Sequence, residues 1–169
     1  MFFHLFRSSR RPSGVELPRP PHPPLRTRPC SREHALQRLS ELSSAHEPLH
    51  DLHFEILADR RELRRLARWL WQVEGAFENA GYGYRVPLSD CDDSAAFALS
   101  LRRMLPTGAP LLAARVTVRL REPALGIGAG LHMSTAWAVD EDWSIVEPTT
   151  GLTSRLAEYE PDVLRHHTQ

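Results

Sequence analysis

A chain of 169 residues is long enough for one domain with a single well-developed core, and its hydrophobic fraction of 41% is ordinary for a globular protein. The chain carries 21 basic and 21 acidic residues, but residues 1–30 hold six arginines against one acid, so the remainder is acidic. A protein that reads nucleic acid needs a basic surface on its folded part, and this excludes nucleic acid as an expected partner.

Two cysteines, Cys30 and Cys91, are too few for a disulfide framework and indicate a reducing compartment. No apolar run approaches the roughly 20 residues that a membrane span requires. The short apolar start of the chain is followed by Arg7, which places the charge on the wrong side for a signal peptide. We therefore expect a cytoplasmic protein, or one exported by a non-classical route, with no membrane partner.

Residues 1–30 contain seven of the 14 prolines in the chain. This composition is unsuited to a core or to a sheet ladder, so it predicts a disordered leader ahead of a single domain over residues 31–169. A proline-rich ligand for an SH3-type domain is the functional alternative for this segment.

Beyond the leader, the spacing of apolar residues predicts helices first and strands afterwards. Helices are expected from the N-cap Ser31 to about residue 45, from Asp59 to about Asn79, and from about Asp92 to Leu105. Strands are expected over residues 111–120, 131–139 and 143–146. This order predicts an α+β domain with an antiparallel sheet in its C-terminal half.

The most informative segment is Asp90-Cys91-Asp92-Asp93, where a loop is expected to become the third helix. A thiol at a helix N-terminus meets the positive end of the helix dipole, which favours the nucleophilic thiolate. The neighbouring carboxylates act in the opposite direction unless they point away or bind a cation. Cys91 is therefore the candidate nucleophile, in surroundings that oppose its activation.

A base and an acid follow on the next two predicted strands. His132 and Glu147 are 15 residues apart, so a hairpin that turns near residues 138–141 brings them opposite each other, to within a residue or two of register. Cross-strand neighbours have Cβ atoms about 4.5–5.5 Å apart, close enough for a carboxylate to orient an imidazole. The glycine-rich segment 126–130 is expected to be a flexible loop beside His132 that admits substrate. Trp137 is expected to belong to the core by its position, near enough to the site to wall a cleft.

Asp-Cys-Asp-Asp before a helix of small residues, a Gly-x-His strand, and an acid before Pro-Thr together resemble the papain/transglutaminase superfamily. The resemblance covers roughly residues 84–151. It is seen in particular with the bacterial transglutaminase-like cysteine peptidases and with the papain-like catalytic domain of a calcium-dependent fungal agglutinin. It implies a papain-like fold in which the nucleophile begins a central helix, packed on a C-terminal antiparallel sheet.

The resemblance also implies a function, that of a cysteine hydrolase acting on amide bonds of a peptide or protein substrate. Cys91 would be the nucleophile, His132 the general base and Glu147 the residue that orients the base. Asp92 and Asp93 would be candidate ligands for Ca²⁺ or Mn²⁺. A bound cation would offset the negative charge around the thiol.

Two departures from the family pattern keep other functions open. Ser94 stands where such families usually place an aromatic residue, and no glutamine lies just upstream of Cys91 to stabilise an oxyanion, which leaves Tyr84, Arg85 or backbone N–H groups. One alternative is a non-catalytic transglutaminase-like structural or interaction module. Another is a cell-wall amidase or peptidoglycan peptidase, although the chain contains no cell-wall-targeting repeat.

Overall fold

The structure, a computed structural model, describes residues 20–42, 51–79, 91–158 and 163–167 of the chain. Three α-helices and seven β-strands lie in these ranges. The helices are α1 (Arg32–Leu42), α2 (Arg60–Asn79) and α3 (Cys91–Leu101). The strands are β1 (Thr27–Ser31), β2 (His53–Leu57), β3 (Ala113–Leu120), β4 (Gly130–Val139), β5 (Asp142–Glu147), β6 (Leu152–Arg155) and β7 (Val163–His167).

Side-chain caps start the first two helices where the sequence predicts. The Ser31 hydroxyl accepts the N–H of His34 at 3.2 Å, and an Asp59 carboxylate oxygen accepts the N–H groups of Arg61 and Glu62 at 2.8 and 3.1 Å. The third helix is shorter than expected, because a 3-10 turn over Arg102–Met104 follows α3. Within the described residues, no helix is long and apolar enough to cross a membrane.

The seven strands form one curled sheet with β4 at its centre. The strand order is β1-β2-β4-β3-β7, with β5 beside β4 and β6 beside β5. The expected β3–β4–β5 meander is present, with antiparallel pairing throughout. The contact of β2 with β4 is parallel and joins Leu57 to Val139. The predicted α+β class is therefore confirmed, but the sheet is neither wholly antiparallel nor confined to the C-terminal half.

The end of the segment predicted to be a disordered leader forms a strand. Thr27–Ser31 forms five register pairs with β2, and Cys30 is 3% exposed in the core below α1. A proline is compatible with this strand because β1 lies at the edge of the sheet, where Pro29 needs no ladder donor on its open side. The assignment of residues 1–30 to a disordered leader is thus wrong for β1, and residues 1–19 lie outside the described range.

Helices cover both faces of the sheet, and each face has its own apolar core. Alternation of side chains along β4 sends Ala136 and Ala138 to the face covered by α1, which we call the α1 face. It sends Trp137 and Val139 to the face covered by α2 and α3, which we call the α3 face. The N-terminus of α3, where Cys91 lies, is thereby held against one face of β4.

Candidate active site

The side chains of His132 and Glu147 meet at one end of the β4–β5 hairpin. His132 Nε2 lies 2.6 Å from Glu147 Oε2, and the two residues are 9% and 1% exposed. The ladder pairs Thr135 with Val146, so its continuation would set Glu147 opposite Ser134, two residues from His132. Diagonal neighbours at this offset remain within reach of long side chains. The predicted cross-strand contact between the two residues is present in the structure.

Glu147 is held in place by the turn that follows β5. Its Oε1 accepts the Thr149 hydroxyl at 2.7 Å and the Thr149 N–H at 3.3 Å, while its carbonyl accepts the Gly151 N–H at 2.8 Å. One carboxylate oxygen is thus used by Thr149 and the other faces the imidazole. Because Nε2 faces Glu147, the second ring nitrogen of His132, Nδ1, is the one available for proton transfer.

Cys91 lies beside β4, along the stretch of its edge that β5 does not reach. Its Sγ accepts the backbone N–H of Met133 at 3.4 Å. Successive N–H groups along a strand point to opposite edges. The N–H of Ala138 points toward β3, where the carbonyl of Leu112 accepts it. The N–H of Met133, five residues earlier, therefore points toward the β5 side. Since β5 pairs with β4 only as far as Thr135, the sulfur takes the place that a further residue of β5 would occupy.

Cys91 and His132 approach this edge from different faces of the sheet. Helix α3 packs on the α3 face, whereas His132 pairs with Val118 and shares its α1-face orientation. The structure therefore brings His132 to Glu147, and Cys91 to the backbone of the residue after His132. All three lie beside the stretch of β4 before Thr135 that β5 leaves uncovered, which we call the gap beyond the end of β5.

The carboxylates of Asp92 and Asp93 oppose formation of the Cys91 thiolate less than the sequence suggests. Asp92 and Asp93 are both exposed, so water screens their charge. The N–H donated by Met133 adds a hydrogen bond that stabilises a thiolate. Within the described ranges, no group of three or more His, Cys, Asp and Glu side chains is arranged to hold a metal ion. Asp90 and the oxyanion candidates Tyr84 and Arg85 lie outside those ranges.

A buried polar contact supports the first turn of α3. The Ser94 hydroxyl donates to Glu74 Oε1 at 2.5 Å, and the two residues are 0% and 5% exposed. The hydrogen bond from Ser94 to Glu74 therefore ties α3 to α2. Sequence reasoning missed Glu74, because it lies on the apolar stripe of α2 without any motif to mark it.

Trp137 and the glycine-rich loop lie near the site. Trp137 belongs to the core, as its position predicts, and does not wall a cleft: it is 0% exposed in the α3-face core, and its indole N–H donates to the Thr135 hydroxyl at 2.8 Å. The glycine-rich loop begins as a tight turn, because Ala124 and Ile127 exchange backbone hydrogen bonds of 3.0 and 2.9 Å. The start of this loop is held closed by the backbone.

Sequence reasoning also missed Met133 and Thr149. The signal for Thr149 was the Glu-Pro-Thr-Thr-Gly turn, in which a hydroxyl two residues after an acid can reach back to it. Met133 contributes through its backbone, and no side-chain pattern marks such a role. Comparison of the chain with family models, with curated proteins and with solved structures finds no match.

Proposed function

We propose that the protein is a cysteine hydrolase of amide bonds, with peptides or proteins as substrates, built on a papain-like or transglutaminase-like domain. One observation carries the proposal: an imidazole held by a buried carboxylate at 2.6 Å, with a cysteine sulfur 3.4 Å from the N–H of the adjacent residue. Nucleophilic catalysis by cysteine needs these three groups in proximity, with the base oriented by the acid.

In the proposed reaction, His132 takes the proton of the Cys91 thiol at Nδ1, and Glu147 stabilises the resulting imidazolium. The thiolate attacks the substrate carbonyl carbon in the gap beyond β5, which forms a C–S bond and an oxyanion. Collapse of this intermediate breaks the C–N bond, and His132 returns the proton to the leaving amine. Water, deprotonated by His132, then cleaves the thioester and regenerates the thiol.

Thr149 and the backbone have supporting roles in this proposal. Thr149 fixes the carboxylate of Glu147 and is a positioning residue, because it acts on the imidazole through Glu147. The backbone N–H groups in the first turn of α3 are the proposed donors to the oxyanion, since the first N–H groups of a helix lack intrahelical partners.

A calcium requirement remains a separate proposal. Asp92 and Asp93 lie side by side in the first turn of α3, and carboxylate oxygens are the ligands that Ca²⁺ prefers. If they bind Ca²⁺ together with other groups, thermal unfolding should move to higher temperature on adding calcium, and the shift should vanish in an Asp92→Asn, Asp93→Asn double variant. Equal melting temperatures with calcium and with a chelator would contradict the calcium proposal alone.

The second candidate is a non-catalytic module that keeps the scaffold. Its supporting observation is that Cys91 comes to β4 on the helix that packs on the α3 face, whereas the His132–Glu147 pair lies on the α1 face. In such a module the His132–Glu147 pair would serve only to fix the end of the hairpin.

Cleavage of a complex peptide mixture tests the enzyme proposal directly. A proteome-derived peptide library would be incubated with the protein, and newly formed termini would be identified by mass spectrometry. We expect new termini with the wild type, and none with Cys91→Ala or with His132→Ala.

Cys30→Ala is the matched control, since it removes the other cysteine of the chain. It should cleave as the wild type does, provided that its melting temperature shows a folded protein. Termini that form equally with Cys91→Ala would overturn the proposal, as would a wild type that forms none while Cys91 also alkylates no faster than a free thiol.

A further inference from the structure

One tryptophan on the surface of α2 lies close to the candidate site. All four tryptophans of the chain fall within the described ranges, and three of them are buried with the indole N–H donating to an oxygen atom. Trp71 differs, since it is 51% exposed and its indole N–H has no partner among the described residues. Tryptophan is enriched at binding surfaces, because it offers a large apolar face together with a polar N–H.

Trp71 lies against the turn that holds Glu147. A Cβ atom at Gly151 would come within 3.1 Å of Trp71 Cβ and 3.3 Å of its Cγ, so α2 and the turn approach each other closely here. Gly151 has a φ of 69° and donates its N–H to the Glu147 carbonyl at 2.8 Å. The Trp71 side chain is therefore anchored beside the turn that follows β5.

The same helix is tied to the other side of the candidate site. Glu74, which follows Trp71 by about one helical turn, accepts the Ser94 hydroxyl at 2.5 Å. Ser94 lies about one turn after Cys91 on α3. Helix α2 thus runs from the turn that supports Glu147 toward the helix end that carries Cys91. This path places Trp71 at the rim of the gap beyond the end of β5, on the α3 face from which Cys91 reaches β4.

Gly75 leaves room next to Trp71. It lies one turn further along α2, four residues after Trp71, so the two positions share one face of the helix. A Cβ atom at Gly75 would meet no described atom within 4 Å, so no neighbour in the described ranges requires the absence of a side chain. Glycine within a helix is less stable than alanine, and it occurs where the backbone of a ligand approaches closely. The face formed by Trp71 and Gly75 has these properties.

A contact elsewhere on α2 indicates which chemistry suits an indole on this helix. Trp69 donates its indole N–H to the carbonyl of Pro20 at 3.2 Å, and the ring of His22 packs on it with the ring centres 5.3 Å apart. The proline-containing segment of the chain thus supplies a backbone carbonyl and a flat ring to Trp69. Trp71 offers the same two groups, an indole N–H and a ring face, to a segment of another chain.

We propose that Trp71 and Gly75 form a subsite for an extended peptide substrate, in which Trp71 binds a proline or an aromatic residue about three or four residues from the scissile amide. The path between Trp71 and Cys91 comprises about two helical turns and one side-chain contact, a length that three or four extended residues span. This inference rests on the proposed function, because it measures the position of the subsite from an amide held at Cys91.

The peptide library that tests the hydrolase also tests this subsite, because each cleaved peptide reports the residues on both sides of the cut. Alignment of the new termini should show proline and aromatic residues enriched about threefold to tenfold at one position within about four residues of the cut, as expected for one ring contact. Trp71→Ala should abolish this enrichment. Trp71→Phe, which keeps a ring, should retain most of it.

Gly75→Ala distinguishes a binding role from a structural one. Alanine favours the helix, so this variant should melt about 2 °C higher than the wild type. Its methyl group should nevertheless slow cleavage of the preferred peptides about threefold, because it occupies the space above the helix. Leu52→Ala is the matched control, since Leu52 is 67% exposed and its neighbour Asp51 pairs with Arg103, beyond the end of α3 opposite Cys91. It should leave the enrichment unchanged.

The outcomes separate this inference from the proposed function. Termini that form without any preference near the cut, or with a preference that a folded Trp71→Ala variant retains, would overturn the subsite and leave the hydrolase proposal intact. A Gly75→Ala variant that cleaves the preferred peptides as fast as the wild type would overturn the role of Gly75. A wild type that forms no termini would instead overturn the hydrolase proposal and this inference together.

Discussion

The proposed chemistry depends most on Glu147, because this residue is buried and contacts both the proposed base, His132, and the residue that holds its carboxylate, Thr149. Its two carboxylate oxygens have separate partners, His132 on one side and Thr149 on the other. A carboxylate held in this way keeps one ring nitrogen of the histidine occupied and directs the other toward the substrate. We therefore expect substitutions at Thr149 to alter the orientation of the imidazole, although Thr149 acts on it only through Glu147.

Replacing Thr149 by valine should lower peptide cleavage about tenfold, because the Glu147 carboxylate loses a hydrogen bond worth roughly 1.5 kcal/mol or more for a charged acceptor. Thr149→Ser keeps the hydroxyl and should restore most of the rate. Cleavage rates and melting temperatures of both variants would be measured together. If serine fails to rescue while both variants melt alike, the positioning role of Thr149 is wrong.

Glu147→Gln should have a larger effect than Thr149→Val. An amide keeps the shape of the carboxylate but removes the charge that stabilises an imidazolium, so we expect cleavage to fall by about 100-fold or more. Circular dichroism would show whether the hairpin remains folded. A Glu147→Gln variant that is folded and cleaves like the wild type would contradict the role assigned to this acid.

At the scale of elements, α1 fixes the turn of the β4–β5 hairpin. Arg38 is 3% exposed, donates to the carbonyls of Asp140 and Asp142 at 2.8 Å each, and stacks over Trp143 with its guanidinium carbon 5.5 Å from the ring centre. The turn at Asp140 has a φ of 51°, so it depends on such contacts. This turn sets the register that brings Glu147 to His132.

Arg38→Met should destabilise the protein by about 2–4 kcal/mol, because two partly buried hydrogen bonds from a charged donor to the hairpin carbonyls are lost. Arg64→Met is the matched control: Arg64 is exposed on α2, and its replacement should change the free energy of unfolding by less than about 0.5 kcal/mol. Urea unfolding of the two variants would measure the difference. Equal stability of the two variants would show that Arg38 does not anchor the hairpin.

The link between the segment before β1 and α2 should depend on pH. Glu62 is 0% exposed. Burial alone would raise the pKa of its carboxyl, but hydrogen bonds from Arg26 and the charge of Arg65 outweigh burial and hold that pKa below its usual 4.5. A carboxyl group whose pKa is lower in the folded protein than in the unfolded chain contributes its full stabilisation at pH values above the unfolded-state pKa. That stabilisation is lost as the pH falls through the folded-state pKa.

We therefore expect the unfolding free energy of the wild type to decrease as the pH falls below about 4.5, more steeply than that of Glu62→Gln. The variant should be less stable at pH 7, and the difference should narrow in acid. Urea titrations from pH 7 to pH 3 would measure both slopes. Parallel curves over this range would contradict the contribution of Glu62.

At the scale of the whole molecule, local sequence patterns predicted the β4–β5 hairpin but not the backbone donor at its end, nor the strand β1. The 15-residue spacing was sufficient to bring His132 near Glu147, since a short turn leaves little freedom in register. The Met133 N–H could not be predicted, because its availability depends on β5 ending before it reaches Met133. Local propensity also opposed β1, whose proline-containing segment is held by pairing with β2 and by the burial of Cys30.

The two-faced sheet explains why the order Cys, His, Glu is insufficient to define the site. Residue order and spacing give no information on which face each helix covers. Here α3 delivers Cys91 from one face, while the pair of His132 and Glu147 lies on the other, and the three groups share only the gap beyond β5. The proposed reaction therefore requires that the Cys91 thiol and the Nδ1 atom of His132 come within hydrogen-bonding distance at this gap.

The most direct test of the central claim is the alkylation rate of Cys91 by iodoacetamide as a function of pH, in the wild type and in His132→Ala. We predict that the wild-type thiol reacts rapidly down to about pH 6, as an activated thiolate does, and that the variant reacts at this pH at least about tenfold more slowly. Identical profiles for the two proteins, rising only near pH 8.5 as for an ordinary thiol, would contradict the claim that Cys91 and His132 form one catalytic site.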